Sequence, residues 1–334
     1  MIEKKRKLGA SDVYVSPVMF GAWAIGGWMW GGSDENESIE AIRAAIGAGV
    51  NTIDTAAIYG MGYSEQVVAK AIAVFPRDKL VIATKCGMRW DDPKGEGVEP
   101  WEQKDNKGKV TIIRKNSKPS SITYECEQSL KRLNVDYIDL FQIHWPDAST
   151  KPEESFAAME KLRKEGKIRA AGVSNYDVQW LKRSMTAGQL ASLQPPFSLL
   201  QRGIEKELLP FCRKNNIGVI VYSPMERGLL TGKVTPDRKF PPGDHRAEHR
   251  LFTVENRKRV IAALESLKPI ADKYKASYAQ MVINWTFQQP GITAAIVGAR
   301  NAEQARHNAG ALNFQLSAEE LSTVRKAFDP LAVS

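Results

Sequence analysis

Cysteine is scarce in this sequence. There are three, Cys86, Cys126 and Cys212. The number is odd and no CxxC pair occurs, which excludes a disulfide framework and makes a reducing cytoplasm the expected setting. Apolar runs are short. The longest, Val18 to Gly32, is rich in glycine and tryptophan and falls below the ~20 residues of a membrane span. It reads as a buried strand followed by a loop. No apolar core follows the charges of Met1–Pro17, so no secretory signal is expected there. No G-x-G-x-x-G follows a strand. Gly60-Met61-Gly62 begins like one but runs into Ser64-Glu65, which argues against a Rossmann dinucleotide site. Linkers, repeats and low-complexity tracts are also missing, so residues 1–334 are expected to form one domain.

Charge is plentiful and mixed, with 47 Lys and Arg against 38 Asp and Glu and a net charge of +9. The densest basic runs are Lys4-Lys5-Arg6-Lys7 and Arg257-Lys258-Arg259, and the rest are dispersed. That pattern suits a solvated surface and an anionic cofactor better than a nucleic-acid footprint.

Short apolar runs alternate with amphipathic helices. Buried parallel strands read as continuous apolar segments. The candidates are Val18–Ala24, Asn51–Thr55, Leu80–Lys85, Tyr137–His144, Ile168–Ser174, Ala191–Gln194, Gly218–Ser223 and Thr293–Gly298. Helical patterns cover Asp34–Gly49, Ser64–Phe75, Ser120–Leu133, Pro152–Glu165, Asp177–Ala187, Lys206–Asn215, Asn256–Tyr274 and Asn301–Ala309, with a capped C-terminal helix over Ser317–Phe328. Eight such alternations predict a closed α/β barrel, the (β/α)8 TIM barrel. Arg6–Leu8 and Tyr14–Ser16 flank a Gly-Ala-Ser-Asp turn and predict a hairpin plugging the barrel floor. Met88–Pro119 and Met225–Glu255 read as long βα loops on the functional face, a lid or cofactor gate.

Polar residues at strand C-termini carry the chemistry. Strand two ends in Asp54 with Tyr59 just beyond, strand three in Lys85, strand four in His144. In a barrel these meet at one mouth. An ammonium beside a phenol favours the phenolate, so Lys85 is expected to lower the Tyr59 pKa and ready it as a general acid. Asp54 would hold Lys85 charged, and His144 would orient a carbonyl. None of these groups can supply a hydride, which points to a nicotinamide cofactor. Cys86 follows Lys85 and faces the opposite side of the strand. Trp28, Trp30, Trp90 and Trp101 read equally well as packing or as an aromatic wall.

Several motifs resemble the aldo-keto reductase family. They are Gly49-Val-Asn-Thr-Ile-Asp54-Thr-Ala56 with Tyr59-Gly60 and Ser64-Glu65; Ala83-Thr84-Lys85; Asp136 to Leu140 with Gln142-Ile143-His144; and Lys167 to Asn175. The resemblance runs from about Leu8 to about Phe328 and is greatest to the bacterial NADPH-dependent subgroup that includes general stress proteins. It implies a (β/α)8 barrel reducing aldehydes or ketones with NADPH, and a catalytic set of Asp54, Tyr59, Lys85 and His144. It implies that Ser174, Asn175 and Gln194 bind the nicotinamide carboxamide and that Tyr222, followed by Ser223 and Pro224, stacks on the ring. Arg227, Gly228, Leu229 and Lys233 would follow the pyrophosphate. Gly21 and Trp23 would border the nicotinamide end, and Trp23 and Trp145 the substrate. Near the 2′-phosphate the family often has Lys-Ser or Lys-Thr followed by Arg. Here Gly298-Ala299-Arg300 stands in its place, with Gln304 and Asn308 on the next helix. Arg300 and that helix's N-terminus can still receive a phosphate.

Two rivals remain. A cofactor-sensing partner protein with slow turnover would keep the same barrel. His245-Arg-Ala-Glu248-His249 matches a zinc-hydrolase helix, but it sits after Pro-Pro-Gly in an Arg-rich loop, and the remaining histidines, His144 and His307, lie elsewhere in sequence. No metal is expected.

Overall fold

A computed structural model describes residues 3–27, 34–92, 94–104, 108–240, 244 and 246–332. Trp28, Trp30 and His245 lie outside the described residues. Eight parallel strands close a barrel: β1 (Val18–Gly21), β2 (Thr52–Asp54), β3 (Val81–Cys86), β4 (Ile138–Ile143), β5 (Ile168–Ser174), β6 (Leu190–Gln194), β7 (Gly218–Val221) and β8 (Ala294–Gly298). Sequence neighbours pair all the way round, and β8 closes on β1 through Ala295↔Val18 to Gly298↔Gly21. The expected (β/α)8 TIM barrel is therefore the fold.

The helices form the outer ring: α1 (Glu35–Gly47), α2 (Tyr63–Ile72), α3 (Pro119–Leu133), α4 (Pro152–Lys164), α5 (Val178–Met185), α6 (Leu208–Lys214), α7 (Val254–Ser266), α8 (Lys268–Lys273), α9 (Tyr278–Phe287), α10 (Ala302–Ala309) and α11 (Ala318–Phe328). Asp34 and Asp177 cap α1 and α5 through their side chains, and Ser317 with Glu320 forms a capping box on α11. The outer faces of the strands pack against these helices in one continuous core. The inner faces form a second cluster of Met19, Val81, Ala83, Leu140, Ala170, Ile220, Ala294 and Ile296.

Arg6–Lys7 pairs antiparallel with Tyr14–Val15, as the N-terminal pattern predicts. Leu8, Val13 and Val15 from this hairpin join the inner cluster and seal the floor. At its turn Gly9 has φ 55°, and a Cβ there would lie 2.5 Å from the Ala191 carbonyl oxygen. Only glycine fits so close a backbone approach.

Three sequence expectations change. The strand at Val18 stops at Gly21, and Ala24–Gly26 is a 3-10 turn. The helix expected over Asn256–Tyr274 is two helices broken at Leu267, where Pro269 interrupts the hydrogen-bond ladder. Residues 88–119 are not a structureless loop. Met88–Arg89, Val98–Lys104 and Val110–Lys115 form a three-stranded antiparallel sheet in which Trp101 faces Ile113 across the central pairing. Helix α9 also went unanticipated. Ala279 and every residue from Met281 to Phe287 are buried, so the sequence shows no polar face, although its Ser277–Gln280 capping box was readable.

Candidate active site

Strand register brings the charged groups together. Lys85 on β3 and Gln142 on β4 are register partners, and Asp54 ends β2 beside them. Along β3 the side chains alternate, so Lys85 enters the barrel while Cys86 packs into the outer core. Lys85 is buried and its three ammonium protons are fully used. Nζ donates to Asp54 Oδ2 at 2.7 Å, to the Thr55 carbonyl at 2.8 Å and to Tyr59 Oη at 3.5 Å. The His144 ring stands edge-on to Tyr59 with centroids 5.7 Å apart. Asp54, Tyr59, Lys85 and His144 thus occupy one cluster.

Its electrostatics depart from expectation in one respect. The Tyr59 phenol lies well above its ordinary pKa, first because it is buried and second because it faces the Asp54 carboxylate. Lys85 does not lower it, because Asp54 at 2.7 Å offsets the ammonium's charge. Burial likewise lowers Lys85 itself, opposed by Asp54. Burial, and then the Lys85 charge, hold His144 well below the usual imidazole range. The phenol is therefore protonated and the imidazole neutral around pH 7, so both present a donor to the mouth.

A second polar set lines the rim on β5, β6 and β7. Ser174 Oγ donates to the Gln194 carbonyl at 2.8 Å. Asn175, held at φ 62°, donates to the His144 carbonyl at 3.0 Å and accepts from Tyr222 Oη at 2.9 Å. Gln194 Nε2 donates to Asp54 Oδ1 at 2.9 Å. The structure joins Ser174, Asn175, Gln194 and Tyr222 to the first cluster by hydrogen bonds.

After β7 the chain is contorted. Ser223, Glu226, Arg227 and Gly228 all have positive φ, between 45° and 96°. Such clustering of strained backbone is characteristic of ligand-holding loops. A Cβ at Gly228 would meet nothing within 4 Å, so its backbone faces open space. Pro224 and the side chain of Leu229 are buried, which leaves Leu229 only its main chain to offer a ligand, and Lys233 is exposed. Arg227 Nη1 lies 2.8 Å from His249 Nε2. No group of three or more His, Cys, Asp and Glu suited to a metal exists among the described residues.

The β8 end completes the rim. Gly21 and Gly298 are register partners, and neither carries a side chain to obstruct the mouth. The turn carrying Trp23 packs on Tyr59, since a Cβ on Gly26 would lie 3.1 Å from Tyr59 Cβ. Arg300 is exposed, and its backbone N–H donates to Gln304 Oε1 at 3.0 Å, while Asn308 Nδ2 donates to the Gly298 carbonyl at 3.1 Å. Although the residue is open to solvent, partial desolvation of the Arg300 guanidinium lowers its pKa first and the charge of Arg246 second, opposed by Asp244. The sequence reading overlooked Arg246, because the 225–255 segment offered no periodicity to place it. Trp145 is exposed at the mouth beside His144. The inserted sheet adds a wall, with Ile113, Trp101, Met88 and Trp90 clustered around Ala56, Ile58 and Tyr59. Arg89 over Tyr124 and Arg132 over Trp90 hold this sheet against α3.

Comparison with known proteins matches residues 17–329 to the pattern of the Aldo/keto reductase family. An NADH-specific methylglyoxal reductase of Escherichia coli is 38% identical over 333 residues, covering 98% of this chain and 99% of that protein. The solved glycerol dehydrogenase of Gluconobacter oxydans superposes with a TM-score of 0.87 at 37% identity, covering 99% of this chain and 96% of that one. An aldo/keto reductase from Klebsiella pneumoniae, solved with NADP and acetate, gives 0.71 at 28% identity, covering 98% and 96%.

Proposed function

Because the chain belongs to the aldo-keto reductase family and is thus an NAD(P)H-dependent oxidoreductase, we propose that it uses NADPH to reduce a small aldehyde or ketone, with Tyr59 as the general acid. The observation that carries this reading is the junction of a protonated phenol, a buried Lys85–Asp54 pair and a neutral imidazole at one barrel mouth. A bound reduced nicotinamide would supply the hydride. The residues along the rim fit such a cofactor. Asn175, Gln194 and Tyr222 offer amide and aromatic groups for the nicotinamide end. The left-handed Arg227–Gly228 backbone gives an open approach for a pyrophosphate. Arg246 and Arg300 hold two guanidinium groups in each other's field, an arrangement an anion stabilises.

The chain's own residues would act on the carbonyl oxygen. Tyr59 Oη and His144 both donate hydrogen bonds to it, polarising the C=O bond and fixing its orientation. As hydride reaches the carbon, a C–H bond forms and the oxygen becomes an alkoxide. That oxygen takes the Tyr59 proton, leaving a phenolate beside the Lys85 ammonium, which stabilises it until water returns the proton. Burial of Lys85 and Asp54 keeps this pair in a low-dielectric setting where its field is strong.

For the cofactor, Arg300 with Arg246 favours a 2′-phosphate. Asp244 lies near them and ion-pairs with Arg246 at 2.6 Å, each offsetting the other's charge, so Arg300 carries the net positive charge there. Relatives point both ways, since the E. coli protein is named NADH-specific and the K. pneumoniae structure holds NADP. Trp23 and Trp145 are read as substrate walls. No helix among the described residues is long and apolar enough to cross a membrane, and a cytoplasmic setting fits the three buried free thiols. The test is NADPH and NADH oxidation against a panel of aldehydes, ketones and sugars, with Tyr59→Phe alongside. Turnover should fall by about 100-fold or more in the variant, the usual scale for a lost general acid, while cofactor binding persists. Full turnover by Tyr59→Phe would remove Tyr59 from the reaction.

A further inference from the structure

The interior of the barrel changes character at the level of Lys85. Below it the inward side chains are apolar: Ala83 on β3, Leu140 on β4 and Ala170 on β5. One step higher, β4 contributes Gln142, which is fully buried. The amide is not there for stability. Its Nε2 has no hydrogen-bond partner, and a buried unpartnered donor is destabilising where a leucine would simply pack.

The other end of that amide has a partner. Gln142 Oε1 accepts from Gln194 Nε2 at 3.4 Å, and the same Nε2 donates to Asp54 Oδ1 at 2.9 Å. The assignment of both amides follows from chemistry. A carboxylate only accepts, so Gln194 must turn its NH2 toward Asp54, and Gln142 must then answer with its carbonyl. One hydrogen bond to Asp54 would let the Gln194 amide swing about that contact. Two acceptors fix its plane. With both N–H groups engaged inward, Oε1 is the only group Gln194 has left for a ligand. Gly172 sits between the two strands in register with Gln142 and Ser192. A Cβ there would lie 3.1 Å from Gln142 Cγ, so the missing side chain is what admits the glutamine.

We infer that Gln142 is a positioning residue that locks the Gln194 amide with its carbonyl oxygen facing the cofactor site, so that Gln194 accepts from the amide N–H2 of a bound nicotinamide. It acts through Gln194 and touches neither substrate nor cofactor. The inference rests on the nicotinamide reading of the site given above.

The test is fluorescence titration of NADPH and NADH into the full chain for wild type, Gln142→Met, Gln194→Met and the double variant, with melting temperatures for all four. Gln142→Met should bind the preferred cofactor about 5- to 10-fold more weakly, the scale of one lost hydrogen bond. Its melting temperature should equal or exceed that of wild type, because the unpartnered donor is gone. The double variant should lose little beyond the Gln194→Met single variant, since both act through one contact. Wild-type affinity in Gln142→Met, or losses that simply add, would overturn the positioning role and leave the oxidoreductase reading intact. A lower melting temperature with unchanged affinity would make Gln142 a packing residue. Gln142→Leu repeats the comparison should the methionine variant fold poorly. If wild type bound neither dinucleotide, the functional reading itself would fall.

Discussion

Glu125 offers the most quantitative check on this structure. It lies on α3, buried, with its carboxylate oxygens 3.0 and 3.1 Å from the backbone N–H of Gly87, two residues beyond Lys85. Ser121 Oγ donates to it at 3.2 Å. Burial raises its pKa from 4.5 to about 8, against the opposing pull of the Gly87 N–H, the Arg89 charge and Ser121. The folded pKa exceeds the unfolded one, so between these values the folded state binds more protons and stability falls as pH rises. At ~1.4 kcal/mol per unit, the loss reaches about 3 kcal/mol by pH 7 and approaches ~5 kcal/mol by pH 9.

Glu125→Gln removes the titration and keeps a carbonyl to accept from Gly87. The measurement is the difference in melting temperature between variant and wild type at pH 5, 7 and 9, in which the titrations of every other group cancel. For a chain this long 1 kcal/mol corresponds to roughly 1–2 °C. The variant should therefore gain about 4 °C on wild type between pH 5 and pH 7, and more by pH 9. A difference constant across that range would refute the reasoning, because it would mean that Glu125 ionises at its ordinary pKa and is not desolvated.

Three further outcomes follow from other parts of the molecule. Arg300→Ala should weaken NADPH binding about 10-fold or more, the scale of a charged hydrogen bond, and NADH binding much less. Equal losses in the two titrations would show that Arg300 does not read a 2′-phosphate. Gly9→Ala forces a Cβ to within 2.5 Å of a carbonyl oxygen at φ 55°. It should cost about 2 kcal/mol or more, lowering the melting temperature while cofactor affinity holds, because the floor lies at the far end of the barrel. Since burial and Lys85 hold His144 neutral, the rate of carbonyl reduction should show no titration across about pH 6–7, where an ordinary histidine changes charge. An inflection there that disappears in His144→Gln would mean the imidazole is not so held.

The barrel was legible because its strands are buried on both faces. That condition writes a continuous apolar run, and a polar residue ending such a run stands out. Asp54, Lys85 and His144 were visible for that reason, and Gln142 was equally visible but carried no chemistry of its own to attract notice. What stayed hidden follows from the same rule. Helix α9 is buried over all but its first turn, so it lacks the polar stripe that marks a helix. The sheet inserted after β3 mixes charges with its alternation: Ile113 points inward while Ile112 and Val110 are exposed, and a register shift between Val98 and Trp101 breaks the period. The direction of the Tyr59 pKa expected from the neighbouring lysine was the wrong one. It depends first on how deeply the phenol is buried and then on the Asp54 carboxylate beside Lys85, neither of which is written in the spacing of the chain.

The Asp54–Lys85 contact bears on how the site would work. A phenol acidified by its lysine would already be partly ionised, and the ionised fraction would have no proton to give when substrate arrived. Here Asp54 offsets the ammonium, and burial keeps the proton on Tyr59 until a stronger base appears. An alkoxide forming within hydrogen-bond reach is such a base, so the proton moves only when hydride transfer generates it. The lysine then acts on the product of that transfer, as the cation beside a new phenolate. On this argument Asp54→Asn should lower the Tyr59 pKa in the free protein, because the ammonium would no longer be offset, and ultraviolet titration of phenolate absorbance at about 295 nm against pH would read the shift. An unchanged titration would mean that burial alone holds the proton and that the carboxylate serves only to anchor Lys85.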